Sequence, residues 1–349
     1  MTAPDDPGGC EGGPPSLPPS PEKGSNLSTS LDMRVAAVLF GVVAAVLHAA
    51  PLTGVPLAAA FSFFSAMPIF YVGFARGPVA AIIAAVVAVL AVGVAAAPLA
   101  GLSFAASTAV PAAYAAFLVN LARPADELGG PSDRIAWYPL ADVLLRLCLT
   151  VAAGAVVLGV ALGYDLEGAR EQIVEGLTQI GQQADASLDE MLGGALSNEA
   201  ARESLAAALA GILPVVQPFS AVLILVANLH FSMRLARARG VLKRPPDDMR
   251  LALRLPLLGL VAFGLSIVLA FGTSDIAVMA RAFAGALGAG FMIAGFAIIH
   301  WALRDNGARV PALVGLYLLV PLLSGLPAIA MVAVGLFSTA RAVPISKRD

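Results

Sequence analysis

Asp142 and Arg146 stand four residues apart in the run Leu140-Ala141-Asp142-Val143-Leu144-Leu145-Arg146-Leu147, where every other side chain is apolar. On a helix, positions i and i+4 share a face one turn apart, so the spacing predicts a mutual ion pair at the edge of an apolar segment. Charge beside hydrocarbon is costly unless paired or hydrated, which makes such residues either anchors for a helix end or parts of a ligand or ion path. Asn228 and His230 lie in a second apolar run and His300 near the end of a third, and they are pathway candidates on the same grounds. A histidine near a helix end supplies an interfacial hydrogen bond or, less commonly, a proton relay. Asp275 and Arg281 stand at the start of the run that ends near His300, where a pair would line a mouth or mark the boundary with water.

Catalysis finds little support. The histidines are His48, His230 and His300, and none has a carboxylate at the three- or four-residue spacing of a helical metal site, so no metal is expected. No Gly-x-Ser-x-Gly elbow and no phosphate-binding Gly-rich loop occurs. The expectation is a protein that is not an enzyme and holds no cofactor, with any ATP-driven step supplied by a separate ATPase. Cys10 and Cys148 make no disulfide framework. A net charge of -2 makes nucleic acid an unsuitable partner.

The elements that must position these residues are long and apolar. The chain is 59% hydrophobic and 13% charged, with a mean hydropathy of +0.86. A soluble domain is about 25% charged. Apolar runs fall at 34–50, 56–75, 78–97, 101–121, 140–163, 208–232, 251–272, 277–303 and 310–340. Several reach the roughly 20 residues a helix needs to cross about 30 Å of hydrocarbon. Open strands leave backbone groups unsatisfied in lipid, so the runs predict helices. The expected fold is all-α: a polytopic transmembrane bundle of about nine spans, eight to ten depending on how the last stretch, interrupted at Ser324-Gly325-Leu326-Pro327, is divided. Its parts are a Pro/Gly/Ser-rich disordered tail (1–30), a first group of about five spans (34–163), an external segment (165–205), a second group of about four spans (208–340) and a short tail (341–349).

Orientation follows from Lys and Arg. The connection at 234–254 holds seven of them against Asp247 and Asp248, which marks a cytoplasmic loop. The segment at 165–203 holds nine Asp or Glu against Arg170 and Arg202, which suits the exterior. Alternation then places the N-terminus in the cytoplasm and the protein in the cytoplasmic membrane, its first partner the lipid bilayer. Within the external segment Ile173, Leu177, Ile180, Ala184, Leu188 and Met191 recur at steps of three and four, predicting an amphipathic helical cap or a lid over a ligand entrance.

Small residues repeat every four positions in two spans: Ala37, Gly41, Ala45 and Ala49 in the first, Ala282, Ala286, Gly290 and Ala294 in the eighth. Such stripes let backbones approach closely where lipid gives no hydrophobic drive. They predict tight helix packing, or docking against another membrane protein.

Pro214, Asn228, Arg234, Gly240, Arg244-Pro245-Pro246 and Arg254-Leu255-Pro256, with Trp137-Tyr138-Pro139 before the fifth span, follow in an order that resembles the YybS-like family of bacterial membrane proteins. That family is similar to the substrate-binding S components of energy-coupling-factor vitamin transporters. The resemblance implies a bundle that captures an unknown small molecule and relies on a separate membrane subunit and ATPases, the first-span stripe being similar in kind to their Ala-rich docking helices. Together with the bundle, the external segment and the small-residue helix, it predicts a pocket opening outward, lined by some of the fifth, sixth and eighth spans. The alternative is a membrane organiser or regulator that recruits partners or anionic lipid through its basic loop.

Overall fold

The computed structural model describes residues 23–182, 186–247, 252–322 and 326–340; residues 1–22 and the C-terminal tail at 341–349 lie outside them. The first half comprises α1 (Lys23–Ala49), α2 (Pro56–Phe61), α3 (Met67–Arg76), α4 (Pro78–Ala95), α5 (Pro98–Phe104) and α6 (Val110–Asn120). The second comprises α7 (Leu140–Leu162), α8 (Leu166–Gly181), α9 (Ala186–Met191), α10 (Glu199–Ala238), α11 (Leu257–Leu269), α12 (Asp275–Ala302), α13 (Arg309–Leu322) and α14 (Leu326–Ala340). Proline opens α2 through α6, where its missing N–H is one the first turn does not use. Between α3 and α4 the chain turns at Gly77, whose φ of 91° suits glycine and lets the two helices pack together.

Among the described residues, seven helices or helix groups are long and apolar enough to cross a membrane, a pattern that fits a membrane protein. Three further apolar helices among the described residues are shorter than a full span. The run at 251–272 contributes α11, 13 residues or about 20 Å, because Pro256 stands before its first turn and the chain leaves the helix at Ala270. The last run divides into α13 and α14, of 14 and 15 residues. Two spans are interrupted: a turn at 65–66 separates α2 and its 3-10 extension from α3, and a π-helical segment, Ala105–Ala109, joins α5 to α6. The link from α6 to α7 carries a two-stranded antiparallel ribbon, β1 (Ala122–Pro124) with β2 (Ile135–Trp137), in an otherwise helical fold.

The centre of the second half is α12, which packs on α7, α10, α11 and α14. Of its apolar stretch 67% is buried, against 22% in α1. Ala282, Ala286, Gly290 and Ala294 are all buried. A Cβ on Gly295 would lie 2.0 Å from the Met331 carbonyl oxygen, and one on Gly335 2.0 Å from that of Phe291, so α12 and α14 cross almost backbone to backbone. The first-span stripe likewise packs within the chain: Ala37, Gly41 and Ala45 are buried, Ala49 is half-buried, and a Cβ on Gly41 would lie 2.6 Å from Ala84 O in α4. The opposite face of α1 leaves Val38, Leu39, Val42 and Val46 exposed, and α11 exposes Leu257, Leu258, Val261 and Val268. Contiguous apolar faces of that kind are unsuited to water.

The two halves meet where α10 crosses α3 and where α6 packs on α7. α10 runs unbroken for 40 residues, about 60 Å, twice the thickness of a hydrocarbon layer. The boundary expected near 205–208 therefore falls inside one helix. The segment before it folds back along α10: α8 buries Leu177 and half-buries Ile173 there, while Ile180 and Met191 are exposed and Ala184 lies outside the described residues. Arg170 on α8 bonds Glu203 on α10 and also reaches Glu167.

Candidate functional site

A cavity of about 540 Å³ opens where the C-terminal half of α7, the middle of α10 and the start of α12 diverge. Its walls are aliphatic, from residues such as Leu158, Leu162, Leu213 and Met279. Four polar residues converge on it: Tyr164, Asp165, Gln217 and Asp275.

Local sequence explains their placement. Gly163 ends α7 in the left-handed conformation, φ 61°, with its N–H donating to Val160 O and that of Tyr164 to Gly159 O. The turn delivers Tyr164 towards α10. There Pro214, which has no N–H, leaves the carbonyl of Ala210 without its helical donor, and the Tyr164 hydroxyl donates to it at 3.1 Å. Burial pushes the Tyr164 phenol above its ordinary pKa, so it remains a protonated donor at neutral pH. Asp165 caps α8, one carboxylate oxygen accepting from Gly168 N at 2.7 Å. Asp275 occupies the first turn of α12 behind the Ser274 cap, where the helix dipole favours a negative charge, and it is exposed. Gln217 projects from α10 one turn beyond Pro214 and is also exposed. An aliphatic chamber edged by two carboxylates and an amide suits a small molecule with an apolar body and a cationic or hydrogen-bond-donating group.

Asp275 does not pair with Arg281. Six helical residues turn the chain through about 600°, which puts the two side chains on different faces. Arg281 instead donates to the carbonyls of Ala270 and Gly272 at 3.2 and 2.6 Å, closing the end of α11.

The pair expected between Asp142 and Arg146 is also absent. Arg146 turns away to the hydroxyls of Tyr138 at 2.7 Å and Tyr114 at 3.3 Å, and no ion pair joins it to Asp142 among the described residues. It ties α6, the residue before Pro139 and α7 together, and Asp142 stands in the first turn of α7. Asn228 is 2% exposed and bonds α10 to the interrupted second span, its amide donating to Phe63 O at 2.6 Å and to Ile224 O at 2.8 Å. His300 meets the Tyr317 hydroxyl at 2.9 Å and couples α12 to α13. Of these five candidates His230 alone lines a described cavity, a second and smaller one at the opposite end of the α7–α10 seam.

Sequence reasoning missed Tyr164 and Gln217, whose neighbours come from other helices, and it read Arg244 only as a loop cation. Arg244 is 3% exposed and donates both to the Asp247 carboxylate, twice at 2.8 Å, and to Tyr138 O at 2.8 Å. Pro245-Pro246 beside it is the signal that this loop is stiff rather than solvated. No protein-family model, no curated protein and no solved structure matches this chain.

Proposed function

We propose that this chain is an integral protein of the bacterial cytoplasmic membrane that captures a small molecule in the cavity between α7, α10 and α12, as the binding component of a transport system. The observation that carries the reading is the 540 Å³ chamber itself, apolar inside and edged by Asp165, Asp275 and Gln217. The three spans that line it are the fifth, sixth and eighth runs of the sequence. Exposed aliphatic faces on α1 and α11 support a lipid surrounding. The acidic 165–203 segment lies at the cavity end and the arginine-rich 234–254 connection at the other, so the positive-inside rule turns the mouth outward. The resemblance to the YybS-like family, and through it to energy-coupling-factor S components, adds a separate membrane subunit and ATPases as the partners that would move the captured molecule.

The acceptors at the mouth favour a ligand that brings a positive charge or several donors, such as an amine-bearing heterocycle. A thermal-shift screen of vitamins, nucleobases and heterocyclic amines on the detergent-purified protein tests this. The expected result is stabilisation by a cationic compound, weakened at least tenfold in Asp275→Asn. A screen without any response, with protein partners co-purifying, would favour the organiser reading instead.

A further inference from the structure

The seam between α7 and α10 opens a second time, at the N-terminal end of α7 and the C-terminal end of α10, into a space of about 260 Å³. Two cations and a histidine border it from one helix: His230, Arg234 and Arg237, at spacings of four and three, occupy one face of α10. Arg237 is half-buried, and its Nε is buried without a hydrogen-bond partner; its one described bond is a 3.5 Å contact from a terminal nitrogen to Pro245 O. Arg234 and Arg237 both line the space, and an anion held there would gain charge-assisted hydrogen bonds from their guanidinium groups. Asp247 also borders the space, but its charge is already paired with Arg244, which donates to both its oxygens at 2.8 Å, and no ion pair joins it to Arg234 or Arg237 among the described residues. The remaining wall is aliphatic, built from residues such as Leu144, Leu147, Val226 and Met233.

We infer that this cavity is a binding site for an anionic phospholipid, its phosphate held by Arg234 and Arg237 and its acyl chains against the aliphatic wall of α7 and α10. A soluble phosphate compound would use the cations and gain nothing from the leucines. A phospholipid uses both, and its phosphate lies at the depth where a span such as α7 begins, with arginines reaching from the helix to meet it. The site rests on the membrane reading above and is separate from the small-molecule cavity.

The experiment begins with an alkaline wash of membranes holding the full chain, followed by purification in a neutral detergent. Phosphatidylglycerol, phosphatidylethanolamine and glycerol phosphate are then added separately, with bound lipid counted by native mass spectrometry and stability followed by thermal shift. The expected result is retention of phosphatidylglycerol and a raised Tm, with affinity falling at least fivefold in Arg234→Gln/Arg237→Gln and unchanged in Arg239→Gln, which caps α10 and does not line the cavity. If the double variant fails to fold, Arg234→Gln alone, at an exposed position, carries the same comparison. Equal binding of phosphatidylethanolamine overturns the assignment. So does glycerol phosphate matching the lipid, which would identify a soluble anion, or an equal loss in Arg239→Gln. Release of the protein by the alkaline wash would sink the membrane reading itself, whereas retention with no lipid preference sinks only this site.

Discussion

Arg146 and Arg244 show how far a residue's partner can lie from its sequence neighbours. Arg146 has a carboxylate one turn away and bonds two tyrosines instead, one of them 32 residues distant on another helix. A double-mutant cycle between Asp142→Ala and Arg146→Ala should therefore show no coupling in thermal stability, while the cycle between Arg146→Ala and Tyr138→Phe should show a clear one. Arg244 is the opposite case, a cation in a charge-rich loop that turns out to be buried. Its loss strips a two-point bond from Asp247 and a donor from Tyr138 O, so Arg244→Ala should cost roughly 2–4 kcal/mol, given that Asp247 keeps some contact with water. Chemical denaturation in detergent would measure this, with Arg239→Ala unchanged as the comparison. Local spacing announced that a face was shared; which helix would meet that face was not written there, because Tyr114, Tyr138 and Phe63 reach their partners through tertiary packing.

At the scale of elements, the apolar runs were readable because hydrophobic length is a local property, and seven of them became helices or helix groups of spanning length. Interruptions were harder to read. Pro256 shortened one run to α11, and the turn at 65–66 is held by Asn228 and Ser232, which donate to Phe63 O and Met67 O from α10, 165 residues away. The close α12–α14 crossing gives a sharp expectation: Gly295→Val or Gly335→Val should destabilise by about 3 kcal/mol, while Gly307→Ala, where an added Cβ meets nothing within 4 Å, should be silent. Thermal unfolding of the three variants checks it. The turn that follows α9 carries a pH dependence. Asp189 accepts from the N–H groups of Leu196 and Ser197, and bonding with Ser197 holds its carboxyl below the ordinary value of 3.8. A depressed carboxyl stabilises at pH above its unfolded pKa, and the benefit disappears as pH falls through the folded one. Amide exchange at Leu196 and Ser197 should consequently be several-fold faster in Asp189→Ala at neutral pH, and the difference from the natural protein should vanish in acid below that range.

For the whole molecule, charge and cavity run in parallel. The acidic segment and the larger chamber share one end of the α7–α10 seam, and the arginine-rich connection and the smaller cavity share the other. The charge asymmetry was visible along the chain, whereas the chamber was not, since it arises where α7, α10 and α12 fail to close over one another. On the proposed reading α10 crosses lipid with Gln217 in a chamber open to the exterior. Single cysteines introduced at Gln217, Val261 and Arg239, each in a Cys10→Ser background, can be challenged in whole cells with a membrane-impermeant maleimide, Cys148 being buried. Rapid labelling of Gln217→Cys from outside is expected, with no labelling of Val261→Cys on the exposed apolar face of α11, and labelling of Arg239→Cys only after the cells are opened. Labelling of Arg239→Cys in intact cells, or equal labelling of Val261→Cys and Gln217→Cys, would contradict it.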